Sequence, residues 1–339
     1  MKGISLAIVA AVLFGGSTPF AKALLSSVPP QLLAGMLYFS SGLVLSLWNW
    51  HRPRVQAVPS DQRLWLGMAI LCGGVLGPVL LLNGLLSTPA STASLLLNLE
   101  GVFTALLAWF VFKENFDLRI FLGMICIVAG GLLLSWQGAG GWGGGGLVAA
   151  ACLCWALDNN FTQKVSAGDP LRIAALKGLS AGAFNLVLAA ALGQAHWPGL
   201  QTVAAAALIG ILAYGVSLAA FVSALRYLGT ARTGAYFSMA PFVGASLSLV
   251  VFHEPLSSRF VAAAVCMAAG VYLHLTERHE HEHTHEEIEH EHEHVHDEHH
   301  QHEHEPGVDP GQPHTHRHRH VRLSHKHPHY PDLHHRHEH

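Results

Sequence analysis

Apolar stretches long enough to cross a bilayer follow one another almost without pause from residue 3 to residue 275, and nothing else in the chain constrains its fold as strongly. A helix needs about 20 mostly apolar residues to span the hydrocarbon core. Ten such segments can be drawn, at approximately 3–25, 29–48, 64–86, 89–112, 117–136, 146–166, 170–192, 202–227, 232–252 and 257–275. Backbone exposed to lipid must satisfy its own hydrogen bonds, so these segments read as transmembrane α-helices. The clearest interruption is the glycine run Gly138–Gly146, which parts the segments into two groups of five. All five cysteines (Cys72, Cys126, Cys152, Cys154, Cys266) fall inside apolar stretches, where packing is their ordinary use. Cys152 and Cys154 stand about 200° apart on a helix, so they make no CxxC pair and imply no disulfide framework. Residues 2–23 resemble a signal peptide in outline, but the segment is long enough to span and is read as retained.

Charge divides the chain at about residue 276. Residues 1–275 carry 7 acidic and 13 basic side chains, whereas residues 276–339 carry 15 acidic and 6 basic ones and 23 of the 27 histidines. A pI near 6.8 therefore describes neither region. If the N-terminus is cytosolic, the cytosolic side receives Lys2, Arg52, Arg54, Arg63, Lys113, Arg119, Lys164, Arg172, Arg226 and Arg232, and the outer side only Lys22 and Arg259. The positive-inside rule favours that orientation. An even number of spans then returns the C-terminus to the cytosol of a multi-pass cell-membrane protein.

The two groups of five repeat one another. A shift of 140 residues superimposes Ala105, Leu107, Phe112, Glu114, Arg119, Cys126, Ala129, Gly130 and Leu133 on Ala245, Leu247, Phe252, Glu254, Arg259, Cys266, Ala269, Gly270 and Leu273. The pairs Glu114/Arg119 and Glu254/Arg259 carry most of the weight, because charges are rare here. An odd number of spans per unit requires the two units to run in opposite orientations, a recurring construction of secondary transporters with the site near the midplane. The stretch Thr230-Ala231-Arg232-Thr233-Gly234-Ala235-Tyr236-Phe237-Ser238-Met239-Ala240-Pro241, running on to Phe252-His253-Glu254, and its counterpart Thr92 to Glu114, resemble the EamA-type repeat of the drug/metabolite transporter superfamily. The resemblance covers about residues 3–275. It implies an all-α membrane protein of ten helices in two inverted five-helix repeats, moving small solutes by alternating access. The expected organisation is a first repeat at 1–137, a glycine-rich linker at 138–145, a second repeat at 146–275 and a disordered His-rich tail at 276–339. One departure from the family pattern stands out: where the second half has Ala240-Pro241, the first has Glu100-Gly101.

Ionisable groups at membrane depth are costly and face a cavity or a partner. Glu100, Asp158 and Lys177 fall inside the fourth, sixth and seventh segments. On a helix Asp158 shares a face with Cys154 and Thr162, and Lys177 shares one with Asn185 beside Gly178 and Gly182. Two arrangements follow. In one, Asp158 pairs with Lys177 while Glu100 is protonated or bonded to Asn98 or Asn83. In the other, Glu100 and Asp158 meet in a central cavity and bind a cation or carry coupling protons, since desolvated carboxylates exchange protons closer to neutrality. Asn159, Tyr38, Tyr214 and Tyr236 complete the candidate cavity. Pro19, Pro78 and Pro241 kink their helices or free backbone groups to face it.

The tail reads His-Glu-His-Glu-His-Thr-His from His279 to His285 and His-Glu-His-Glu-His-Val-His from His290 to His296, then alternates His314, His316, His318 and His320 with Thr and Arg, and ends with His334, His335, His337 and His339. So polar a segment builds no core and is expected to lack order without metal. These histidines (His279, His281, His283, His285, His290, His292, His294, His296 and the later ones named) suit Ni, Co, Zn or Cu, with no selectivity imposed by a flexible site.

Three functions are compatible with these features. The first is a transition-metal exporter whose tail collects Ni, Co or Zn at the inner mouth. Against it, His51, His196, His253 and His274 all lie near segment ends, leaving the cavity a hard-ligand site. The second is an exporter of amino acids or other small metabolites with the tail as a metal-responsive regulator. The third is a membrane-anchored metal sensor or buffer. No HExxH, GxSxG or P-loop marks an enzyme. No cofactor is required and no nucleic-acid partner is implied; the partners are the bilayer and a small solute or metal ion, with the oligomeric state open.

Overall fold

A computed structural model describes residues 2–50, 59–112, 118–135, 143–165, 169–194, 196, 198–276, 280–285, 288–294, 314–320 and 323–328. The chain forms two compact units, 1–277 and 278–339.

The first unit is helical. Its elements are α1 (Lys2–Gly15), α2 (Ser17–Leu24), α3 (Pro30–Asn49), α4 (Arg63–Ala69), a π-helical segment Ile70–Leu76, α5 (Gly77–Ser87), α6 (Ala90–Leu96), α7 (Leu99–Phe112) and α8 (Leu118–Ser135). The second half adds α9 (Gly143–Gln163), α10 (Pro170–Ala191), α11 (Leu200–Ile209), a second π-helical segment Gly210–Val216, α12 (Ser217–Phe237), α13 (Ala240–Phe252) and α14 (Ser258–Leu275). Among the described residues seven helical stretches are long and apolar enough to cross a membrane, and α13 and Ser258–Leu273 are apolar but shorter. Large apolar side chains face outward, with Val187 69% and Val250 72% exposed, as a protein solvated by lipid allows. Trp48 and Trp50 are exposed at the end of α3, and Trp is a residue enriched at membrane–water interfaces.

The backbone repeats at the offset that the sequence suggests. Pro30 opens α3 and Pro170 opens α10; α8 begins at Leu118 and α14 at Ser258; the π-helical segments begin at Ile70 and Gly210. Each start lies 140 residues from its counterpart. The packing repeats as well: α3 lies against α10 and α8 against α14, while α5 on α9 is matched by α12 on α1. Small residues make the closest approaches. A Cβ on Gly178 would lie 2.8 Å from the Cα of Gly42, and one on Gly270 would lie 2.6 Å from the Gly123 carbonyl. Small residues at such crossings let whole backbones touch.

The halves part where the eighth and ninth segments join. The sequence reading puts a connection at 228–231, but α12 runs unbroken to Phe237. In the first half Pro89, with no N–H to donate, separates α5 from α6. The matching residue is Gly229, and the helix passes through it. A second interruption occurs in both halves. Leu97-Asn98 divides α6 from α7 by tightened turns (Asn98 N–H to Leu95 O, 3.1 Å), and Ser238-Met239 divides α12 from α13 (Met239 N–H to Tyr236 O, 3.2 Å). Of the expected linker, Gly143–Gly145 belong to α9, with Gly144 packed on Gly84; residues 138–142 lie outside the described ones.

In the second unit the described residues fall in four short strands. It carries β1 (Glu280–His285), β2 (Ile288–His294), β3 (His314–His320) and β4 (Leu323–Pro328), with β1 antiparallel to β4 and β2 antiparallel to β3. Histidine at every second residue has the period of a strand, not of a helix. His279, His296, His334, His335, His337 and His339 lie outside the described residues.

Candidate translocation site

Polar side chains converge where α3, the first π-helical segment, α7, α9 and α10 meet. Asp158, only 8% exposed, is neutralised by Lys177, whose ammonium donates to its carboxylate. Thr162, one turn along α9, donates to Asp158 Oδ1 at 2.9 Å and accepts from Lys177 Nζ at 3.0 Å. The helical spacing of four residues makes that triad possible. Gly73 leaves room for it: any Cβ there would run into the Asp158 carboxylate.

Why the Gly73 carbonyl is available follows from Pro78. The Gly77 N–H bonds Cys72 O five residues back, and residue 78 has no N–H for Gly73. Two side chains supply the missing donors: Tyr38 Oη and Trp155 Nε1 each donate to Gly73 O at 3.0 Å. The neighbouring carbonyl, Gly74 O, accepts from Asn185 Nδ2 at 3.0 Å, and Asn185 Oδ1 accepts from Gln31 Nε2 at 2.7 Å. Asn185 is fully buried, so this chain of bonds is what makes its burial tolerable.

Glu100 sits beside this network in the first turn of α7, directly after the tightened turn at Leu97-Asn98. A carboxylate is favoured at a helix N-terminus. Its Oε1 accepts from Asn159 Nδ2 at 2.9 Å, and Asn159 also reaches Thr104 Oγ1 at 3.5 Å. Through the Asn159 bond, Glu100 of the first half touches α9 of the second. Around them runs an aromatic row. Tyr38 and Tyr214 lie 5.4 Å apart, Phe14 packs edge-on to Tyr214 at 5.9 Å, and Phe237 stands 5.4 Å from Phe14. Tyr214 belongs to the second π-helical segment, so both segments border the same place.

Of the predicted site residues, Glu100, Asp158, Lys177, Asn159 and Tyr214 are brought together here. The expected bonds from Asn98 or Asn83 to Glu100 do not form: Asn98 Nδ2 donates to Leu95 O at 2.8 Å and Asn83 Nδ2 to Val79 O at 2.7 Å. Each amide serves a carbonyl three or four residues before it, which needs no ordering of a second element. Tyr236 lies half-buried in the last turn of α12 and joins none of these contacts. Trp155 and Gly73 were not anticipated. Trp155 stands three residues before Asp158, a spacing that could have flagged it, whereas Gly73 offers no side-chain signal.

A second polar contact lies elsewhere in the bundle and joins the two halves. The carboxylate of Glu254 accepts the Ala90 N–H at 2.8 Å and the Ser91 N–H at 3.1 Å, and Ser91 Oγ donates to it as well. Lys22 donates to the Thr88 carbonyl in the same neighbourhood. Glu254 thus caps α6, whose first amides have no partners within their own helix.

Comparison with known proteins agrees with this architecture. The sequence matches the EamA-like transporter family twice, over residues 1–136 and 142–276. It is 28% identical over 287 residues to an uncharacterized transporter of Methanothermobacter thermautotrophicus, covering 78% of this chain and 84% of that one. It is 26% identical over 286 residues to a probable amino-acid metabolite efflux pump of Salmonella typhimurium, covering 80% and 93%. A solved crystal structure with 20% identity covers 80% of this chain and 96% of its own, with a TM-score of 0.58, which is a likeness of fold. With two family matches that together cover most of the helical unit, and a multi-pass apolar bundle to carry them, this chain belongs to the EamA-like transporter family.

Proposed function

We propose that this chain exports a small amine-bearing metabolite, an amino acid or a close relative, by alternating access between two inverted five-helix halves. The observation that carries the reading is Glu100. Its hydrogen-bond partner is a neutral amide, whereas the neighbouring Asp158 is already matched by Lys177. A carboxylate so placed is suited to a cationic amine on the solute, and the Tyr38–Tyr214 pair offers an aromatic wall to the rest of it. The name given to the Salmonella relative points the same way. In this reading ten helices span the cell membrane with both termini cytosolic.

A transition metal as the transported ion fits the bundle less well. Asp158 is committed to Lys177, and among the described residues no three His, Cys, Asp or Glu side chains gather.

The test is exchange of radiolabelled amino acids and amines across proteoliposomes holding the full chain. Wild type is expected to exchange at least one amine-bearing solute, with Glu100→Gln lowering apparent affinity roughly 10- to 100-fold, the worth of a charged hydrogen bond. Folded protein that exchanges no such solute, or a Glu100→Gln protein equal to wild type, would sink the proposal.

A further inference from the structure

The charged groups of the central cluster do not balance. Asp158 and Lys177 cancel, and Glu100 adds a carboxylate whose partner is the neutral Asn159 amide. Asn159 is exposed and Glu100 half-buried, so their bond borders open space rather than packed core. An ionisable group at membrane depth faces a cavity or a partner. One bound monocation would bring the cluster to neutrality. A zwitterion would not: its ammonium would answer Glu100, and its own carboxylate would need a second cation.

The cluster has donors, but they are taken. Lys177 donates to Asp158 and Thr162, and Thr162 donates to Asp158. Tyr38 and Trp155 both donate to Gly73 O, and the Asn185 amide donates to Gly74 O. Each of these bonds satisfies an acceptor inside the bundle, and drawing a donor away leaves that acceptor unmatched. A solute carboxylate would also enter a group of two carboxylates and one cation, where like charge repels it. Gly73 joins this charge pattern to the aromatic row. Its carbonyl holds Tyr38 and Trp155, while the Asp158 carboxylate fills the place of a Cβ. Tyr38 stands 5.4 Å from Tyr214, and tyrosine faces attract both cations and flat apolar groups.

We propose that the site selects an aromatic monoamine without a carboxylate over the amino acid that differs from it only by that group. This narrows the amine reading above and rests on it. Selection comes from what is withheld. Lys177, committed to Asp158, leaves the cluster no cation for a carboxylate, whereas Glu100 stays open to an amine.

Three radiolabelled solutes test this in proteoliposomes holding the full chain, at neutral pH where all three amines are protonated. They are phenethylamine, phenylalanine and phenylalaninol, which replaces the carboxylate by an uncharged group of similar bulk. Phenethylamine and phenylalaninol are expected to exchange with at least about 10-fold higher apparent affinity than phenylalanine, the cost of desolvating an unmatched charge. Asp158→Asn, which releases Lys177, is expected to narrow that gap severalfold. Phenylalanine equal to or better than phenethylamine overturns the proposal. So does phenylalaninol behaving like phenylalanine, since bulk would then be the cause. A folded Asp158→Asn protein with the wild-type ratio overturns it too. If all three solutes fail while another amine exchanges, this inference falls alone; if no amine exchanges, it falls together with the reading beneath it.

Discussion

In the first half of the bundle, the π-helical segment at Ile70–Leu76 is followed by Pro78, and its Gly73 carbonyl receives Tyr38 and Trp155. In the second half the matching segment at Gly210–Val216 has no proline after it and carries Tyr214 where the first has Gly74. The same contrast recurs around the site. Glu100 is matched by Ala240, Asp158 by Thr18, Lys177 by Leu37, Tyr38 by Gly178 and Trp155 by Gly15. Most helix starts and packings are duplicated, whereas among the described residues the polar cluster around Glu100 and Asp158 has no counterpart in the other half. A duplicated frame suits a bundle that rocks between two related arrangements. A one-sided cluster suits the recognition of a single solute, which has no reason to be symmetric.

Paired substitutions at matched positions test that division of labour. The largest effect is expected at Asp158→Asn, which leaves Lys177 charged and unpaired at a cost of about 3 kcal/mol in stability. It should appear as a lowered Tm in detergent, with Lys177→Met in the same chain recovering much of the loss. Thr18→Val, at the matched position, should do far less. Next comes Glu100→Ala combined with Ala240→Glu, which moves the carboxylate to the other half. If the chemistry is one-sided, exchange of amine-bearing solutes stays as low as in Glu100→Ala alone. Recovery would mean that the halves are interchangeable after all. Tyr38→Phe removes one of two donors to Gly73 O and should cost about 1 kcal/mol, with Trp155 retaining the other bond. Thermal unfolding of Tyr38→Phe, Trp155→Phe and the double variant would show a double loss larger than the sum of the singles if the carbonyl needs one donor at least.

Part of this was legible in the residues alone. The pairs Glu114/Arg119 and Glu254/Arg259 revealed the 140-residue repeat because charges in apolar segments are few enough to align. The Asp158–Lys177 pair was legible for the same reason, being two opposite charges at membrane depth with few alternatives. What hydropathy could not reveal is which neighbour a polar group turns to. Asn98 and Asn83 serve carbonyls a few residues back, and Glu100 finds Asn159, yet all three asparagines have the same composition signal. Nor did apolar periodicity mark the tightened turn at Leu97-Asn98, which has neither glycine nor proline. Gly229 and Thr230 look like a loop, yet the backbone there is helical. In the tail, counting histidines indicated metal chemistry, whereas the pairing of an acidic strand with a basic one needed the register.

On the proposed transport cycle, Glu254 bears on kinetics. Its bonds to Ala90 and Ser91 tie the end of one half to the start of a helix in the other. If these two ends separate during the proposed alternating-access cycle, the ties must part and reform with every turnover, and their strength enters the barrier directly. A tighter clasp would seal the pathway against leak and slow the cycle; a looser one would speed the cycle and let it slip. A carboxylate shared among two backbone amides and one hydroxyl can release them one at a time, dividing a single high barrier into several lower ones.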